Sequence, residues 1–287
     1  MFVMSSKSAS NCRADEAGQT SRYATFLRFP FTVDSLMYLP TGNARLDPYL
    51  QDGYEKVLGM SSGFAASVCG YIIRRQSEMG IVGHVAEIGT FEGRFFIAAA
   101  LGLQPGEHAI GIDVFTWPSE AVLDHLHENC ARHGLKRSEY TAIKGNTADM
   151  TPADVVAPAG GGKVRFFHID GQHDDPNITN DLNLAAPLMH ESGIIVLDDM
   201  LHPGYPELVE SVHRWLRAHP EWRVLGIIDR EDIVAAAKYV LCRVEATALY
   251  EMDLLKAFAP QVYPLGCQLA GHFTMVLTPN PRLAKVD

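Results

Sequence analysis

At 287 residues, 47% hydrophobic and 20% charged, the chain can bury a sizeable core without staples, which excludes disorder over its whole length. Its 24 lysines and arginines against 34 acids give a net charge of −10 with histidine neutral, the wrong sign for holding nucleic acid. A small-molecule partner is the better expectation. The five cysteines, Cys12, Cys69, Cys130, Cys242 and Cys267, lack any CxxC pair and read as reduced structural thiols. No uncharged apolar run reaches the roughly 18 residues of a bilayer span. The N-terminus has no hydrophobic signal core, so the expectation is a cytoplasmic protein away from membranes.

Residues 1–30 are polar and rich in small side chains, and they read as a flexible tail. Residues 31–80 read as a helical extension. There Val57, Met60, Phe64, Ala65, Val68, Cys69, Ile72 and Ile73 recur at three- and four-residue steps, with Ser61 and Ser62 as candidate N-caps. Residues 81–287 change texture. The short runs HVAEIG (84–89), HAIGID (108–113), YTAIKG (140–145), VRFFHID (164–170) and GIIVLDD (193–199) have strand length and composition. Helical spacing fills the segments between them, 91–103, 119–133, 178–190 and 206–218. This alternation predicts an α/β fold, a doubly wound and mostly parallel seven-stranded sheet behind an N-terminal helical extension. After Trp222, RVLGIID, KYVLCRV and HFTMVLT can supply further strands, some antiparallel, around a helix-like segment beginning at Ala246. Ligands of such sheets sit outside the carboxyl ends of the strands, so those ends carry the functional candidates.

The first strand runs into Glu87-Ile88-Gly89-Thr90-Phe91-Glu92-Gly93, an ExGxxxG loop. Gly89 permits a tight turn and Gly93 a close approach, as a nucleotide-like ligand requires, although a packing turn would also use glycine there. The dinucleotide fingerprint GxGxxG is absent, and Glu87 would repel a pyrophosphate while favouring the cationic methionine end of S-adenosylmethionine. Asp113 ends the second strand, 24 residues beyond Gly89, where it can hold a ribose diol or simply cap the next turn. After the third strand Asn146 and Thr147 offer polar groups to an adenine edge. The fourth and fifth strands end in Asp170, then His173, Asp174 and Asp175, and in Asp198-Asp199. Carboxylates gathered at apolar strand ends repel one another unless a cation offsets them, so Asp170, Asp198 and Asp199 form a candidate Mg²⁺ site. The competing reading makes Asp174 and Asp199 solvated caps of the next helices. His173 lies where an imidazole with a pKa near 6.5 could act as general base, and His202 is a lesser pocket candidate.

The runs EIGTFEGRF, GIDVF and FFHIDGQHDDPNITNDLNLAAPLMHESGIIVLDDM resemble the class I S-adenosylmethionine-dependent methyltransferases. Within them they resemble the branch with IDG-x-H and DD strand ends, which includes macrolide-sugar O-methyltransferases and cephalosporin-hydroxylase-like proteins. The resemblance covers residues 85–215. It implies that 81–287 is an S-adenosylmethionine-binding catalytic domain in which Glu87, Gly89, Thr90, Phe91 and Gly93 line the methionine end. It also implies Asp113 and Val114 at the ribose, Asn146 or Thr147 at the adenine, and Asp170 beside the cofactor. Asp170, Asp198 and Asp199 would hold Mg²⁺, and His173 would deprotonate a hydroxyl of a sugar or other small metabolite, as in natural product biosynthesis. One departure is Ser192-Gly193 where the branch has Gly-Gly. The rival readings are a metal-independent methyltransferase, a nicotinamide oxidoreductase on the same kind of sheet and a scaffold with a decayed site. A homo-oligomer is the default expectation for such a chain.

Overall fold

The computed structural model describes residues 39–231, 235–257 and 262–279. The expected tail, 1–30, lies outside the described residues, as do positions 31–38 of the extension. The extension contains helices α1 (Leu46–Asp52) and α2 (Gly63–Glu78). Ser62 caps α2 by accepting from the Ala65 N–H at 3.0 Å, and Phe64, Val68, Cys69, Ile72 and Ile73 are buried beneath it. The helical spacing read from Val57 onward does not become helix until Gly63. Residues 57–62 instead run as a connector containing Gly59.

Strands β1 (His84–Ile88), β2 (Ala109–Asp113), β3 (Tyr140–Lys144), β4 (Val164–Ile169) and β5 (Met189–Met200) alternate with helices. The helices are α3 (Arg94–Ala100), α4 (Val122–Arg132), α5 (Pro152–Val156), α6 (Asp175–Ala185) and α7 (Glu207–Ala218). Then follow β6 (Trp222–Ile228), β7 (Ala237–Arg243), α8 (Thr247–Ala257), β8 (Val262–Leu269) and β9 (His272–Pro279). The sheet order is β3-β2-β1-β4-β5-β7-β6-β9-β8. The first five strands are parallel, and β7 runs antiparallel to both β5 and β6. This is the doubly wound, mostly parallel fold expected, with nine strands among the described residues rather than seven.

The two extra strands form a hairpin. Ala270 and Gly271 both take positive φ, 49° and 83°, the pair of left-handed residues that a tight two-residue turn needs. β9 pairs parallel with β6, and β8 pairs antiparallel with β9. Pro264 and Gly266 weaken the strand signal of β8, and an edge strand is where proline is tolerated.

Apolar side chains cover both faces of the sheet. One core joins α1, α2, α3, α4 and α8 through residues such as Leu46, Phe64, Ile72, Phe96, Leu126 and Tyr250. The other joins α6 and α7 through Ile178, Leu182, Val212 and Trp215 over Phe167 and Ile195. One charged pair ties the extension to the sheet. Arg165 of β4 is fully buried, and its Nε and Nη2 each donate to a Glu107 carboxylate oxygen at 2.7 Å. The same guanidinium donates to the carbonyls of Ile73 in α2 and Gly102, at 2.8 and 3.1 Å. A planar fork with every edge used in this way fixes three segments at once.

Removing one partner of such a pair strands a buried charge. Arg165→Met is expected to cost about 3–5 kcal/mol in urea denaturation. Arg45→Ala, which breaks an exposed pair with Glu139, is expected to cost less than about 1 kcal/mol.

Candidate active site

The parallel strand order reverses between β1 and β4, and a cavity of about 600 Å³ opens at the carboxyl ends of these strands. The ExGxxxG loop forms its floor. Gly89 has φ +82°, and a Cβ there would lie 1.7 Å from the Asp170 carbonyl oxygen, so only glycine lets the ends of β1 and β4 come this close. Gly93 has φ +91°, and a Cβ there would press on Leu126 at 2.5 Å. Asp113 at the end of β2 accepts from the Phe91 and Phe115 N–H groups, each at 2.8 Å, so the carboxylate itself shapes the glycine loop. Asn146 caps a turn by accepting from the Ala148 N–H at 3.0 Å. Glu87, Thr90, Phe91, Val114, Asn146 and Thr147 all line the cavity.

Under the cavity runs a row of buried charges. Glu87 on β1 and His168 on β4 are register partners, and the Glu87 Oε1 to His168 Nδ1 distance is 2.7 Å. His168 Nε2 lies 3.6 Å from Asp198 Oδ2 and 3.4 Å from Lys238 Nζ, and Lys238 on β7 forms an ion pair with Asp198. Phe95 stacks on the His168 ring at 4.0 Å. Burial opposes charge on every member, but the partners decide the outcome. Asp198 is held well below the usual carboxylate range by Lys238 and His168 against the effect of burial. Burial and Lys238 depress His168, yet Asp198 and Glu87 raise it above its ordinary value. Burial, only partly offset by His168, pushes Glu87 up to about 7, and its Oε2 has no partner.

The adjacent acids Asp198 and Asp199 are separated by a bulge. Leu197 pairs with Tyr239 and Met200 with Ala237, so Asp198 and Asp199 together stand opposite Lys238. Asp199 takes φ +56°. Bulges of this kind re-aim side chains beside functional sites. Here Asp198 turns inward to Lys238, while Asp199 Oδ2 comes within 2.6 Å of His173 Nε2. Asp170 Oδ1 lies 3.5 Å from the same nitrogen, and Tyr205 stacks on the His173 ring at 4.4 Å. Asp170, His173 and Asp199 each offer a ligand atom, all within 4.8 Å of one another. Two carboxylates and an imidazole suit a divalent cation.

Of the expected trio, Asp170 and Asp199 converge with His173, and Asp170 comes within the same reach of Asp198 and His168, although Asp198 already has the Lys238 ammonium as counter-charge. Burial lowers His173, but Asp170 and Asp199 override it and push the imidazole up to about 10. In this arrangement the ring carries its proton, the form opposite to the general base expected from the sequence. Asp174 proves to be a cap, accepting from the Asn177 N–H of α6 at 3.1 Å. His202 stacks on the other side of Tyr205 at 4.7 Å. Sequence reasoning missed His168, Lys238 and Asp181. His168 shares the strand period of Asp170, a usable signal. Lys238 gave only a lysine at the start of an apolar run. Asp181, fully buried in α6, lines the cavity with Oδ1 unpartnered, and burial pushes it up to about 6.

Residues 86–200 match a family model described as a methyltransferase domain. No curated protein matches the chain. Among solved structures, the O-methyltransferase from Bacillus cereus in complex with SAH is 16% identical, with 78% of this chain and 97% of that chain covered and a TM-score of 0.52. The O-methyltransferase NovP is 12% identical, with 63% and 80% covered and a TM-score of 0.50. At these identities the likeness is one of fold. Among the described residues, no helix is long and apolar enough to cross a membrane.

Two outcomes follow from this geometry. Gly89→Ala is expected to lose more than about 3 kcal/mol in urea denaturation, from left-handed strain plus overlap with a strand carbonyl. Glu87 titrates higher in the folded protein, at about 7, than in an unfolded chain, about 4.3. A carboxyl raised by folding contributes stability that is full below the unfolded value and is lost as pH rises through the folded one. The ligand-free protein should therefore lose stability between about pH 4.5 and 7, and Glu87→Gln should flatten that fall. An unchanged pH slope in the variant would remove Glu87 as its source.

Proposed function

We propose that this chain, whose residues 86–200 match a methyltransferase domain, is a class I methyltransferase that transfers the methyl group of S-adenosylmethionine to a hydroxyl oxygen of a small molecule. The observation that carries the reading is the meeting, in one cavity, of the ExGxxxG loop with Asp170 and His173, whose ring contacts Asp199. Glu87, its Oε2 free, receives the cationic methionine end, Asp113 faces the ribose, and Asn146 and Thr147 lie toward the adenine. That leaves the acceptor between the Asp170, His173 and Asp199 cluster and the wall formed by Leu58, Met60 and Tyr205.

Asp170 and Asp199 would hold Mg²⁺ or a similar divalent ion, with His173 beside them. Such an ion supplies positive charge that lowers the pKa of an acceptor hydroxyl and replaces the imidazolium as counter-charge to the two carboxylates. His173, kept off the ion, would take the hydroxyl proton at Nε2, which lies 2.6 Å from Asp199 Oδ2. The loop and the cluster hold methyl group and oxygen in line, and this alignment supplies much of the acceleration.

The reading is tested in two steps. S-adenosylhomocysteine should bind in calorimetry, with Glu87→Ala weakening it more than about tenfold and Asp199→Asn leaving it nearly unchanged. Failure of the wild type to bind would sink the cofactor assignment. Radiolabelled methyl transfer to a panel of sugars, phenols and polyketides should require the divalent ion and fail in Asp199→Asn and His173→Ala. Undiminished turnover in EDTA would instead favour the metal-independent reaction.

A further inference from the structure

The least expected charge in the molecule is Lys238. It is 1% exposed, on a strand whose other side chains are mostly apolar, and it reaches the site from β7, outside the parallel part of the sheet. We propose that the Lys238 ammonium is a resident cation for Asp198, which withdraws that carboxylate from ion binding and confines any divalent ion to Asp170 and Asp199. The second half of this proposal rests on the ion-binding reading above.

Both oxygens of Asp198 are committed. Oδ1 accepts from the Asp199 N–H at 2.8 Å, and Oδ2 pairs with Lys238 and faces His168 Nε2 at 3.6 Å. Mg²⁺ takes oxygen ligands at about 2.0–2.1 Å. It cannot approach Asp198 Oδ2 that closely while the ammonium sits on the same atom, because two cations this near repel strongly in a poorly solvated site. Lys238 is held by its pairing with Asp198 and by the Phe95 ring, whose centroid lies 5.3 Å from Nζ. The backbone enforces the division of labour. With Asp198 and Asp199 together opposite Lys238, the bulge lets consecutive acids serve different cations, one built into the protein and one taken from solution. Lys238 already supplies the counter-charge of Asp198, so this end of the row needs no metal to offset its carboxylate.

The test uses the full chain with Mn²⁺ as probe, followed by the electron paramagnetic resonance of free Mn²⁺. Asp199→Asn should weaken binding by about tenfold or more, whereas Asp198→Asn should change it less than about threefold. Lys238→Met, which releases Asp198 as a third carboxylate, should tighten it. Equal weakening in Asp198→Asn and Asp199→Asn would overturn the proposal. In parallel, metal-free urea denaturation of Lys238→Met, Asp198→Asn and the double variant should show a double loss well below the sum of the single losses. Additive losses would overturn the pairing, and this result stands whether or not the metal binds. A wild type that takes up no Mn²⁺ would end the ion-binding reading and the confinement with it, and the denaturation cycle would still decide the pairing. Should Lys238→Met fail to fold, Lys238→Gln takes its place in both measurements.

Discussion

The buried row Glu87, His168, Asp198 and Lys238 is the constraint around which the candidate site is arranged. It crosses four adjacent strands, β1, β4, β5 and β7, and so joins the parallel half of the sheet to the antiparallel strand beside it. Each member would be costly to bury alone, and together they offset one another. At one end of the row Glu87 lines the cavity, its buried Oε2 without a hydrogen-bond partner. The other end fixes the bulge that turns Asp199 toward His173. The groups read here as facing the cofactor and the acceptor are thus positioned by one network.

A second buried ion pair, Arg165 with Glu107, works on a different problem. It lies toward the amino end of β4 and holds the helical extension through the carbonyl of Ile73. The extension in turn reaches the cavity. The Tyr49 hydroxyl donates to the Arg94 carbonyl at 2.9 Å, and Arg94 Nε donates to the Val57 carbonyl at 2.6 Å, next to the wall residues Leu58 and Met60. Packing of the extension therefore sets part of the shape of the acceptor side, while the glycine loop and Asp113 set the cofactor side.

Four aspartates within one sequence block show how far residue type underdetermines role. Asp174 caps a helix, Asp198 pairs with a lysine, and Asp170 and Asp199 meet at an imidazole. In the sequence all four are acids at or just beyond strand ends, and residue type left both the ion-binding and the helix-cap readings open. Only the partner that each one meets separates them, and for Asp198 that partner lies 40 positions away.

Local chemistry was readable from the chain itself. Strand and helix alternation, the Ser62 cap and the glycine loop depend on neighbours a few residues apart, and periodicity carries that information. So do the strand-end positions of Glu87, Asp113, Asp170 and His173, because a parallel sheet sends its carboxyl ends to one edge. β9 was readable as HFTMVLT, but its hairpin with β8 was not, since Pro264 and Gly266 interrupt the strand signal of β8. Nor was the split between Asp198 and Asp199, which depends on the bulge opposite Lys238 and on pairing between strands that are distant in the chain. The sequence determined which ends carry acid. The tertiary structure decided which acids remain free to hold a ligand, because a buried charge takes its meaning from the counter-charge that packing brings to it.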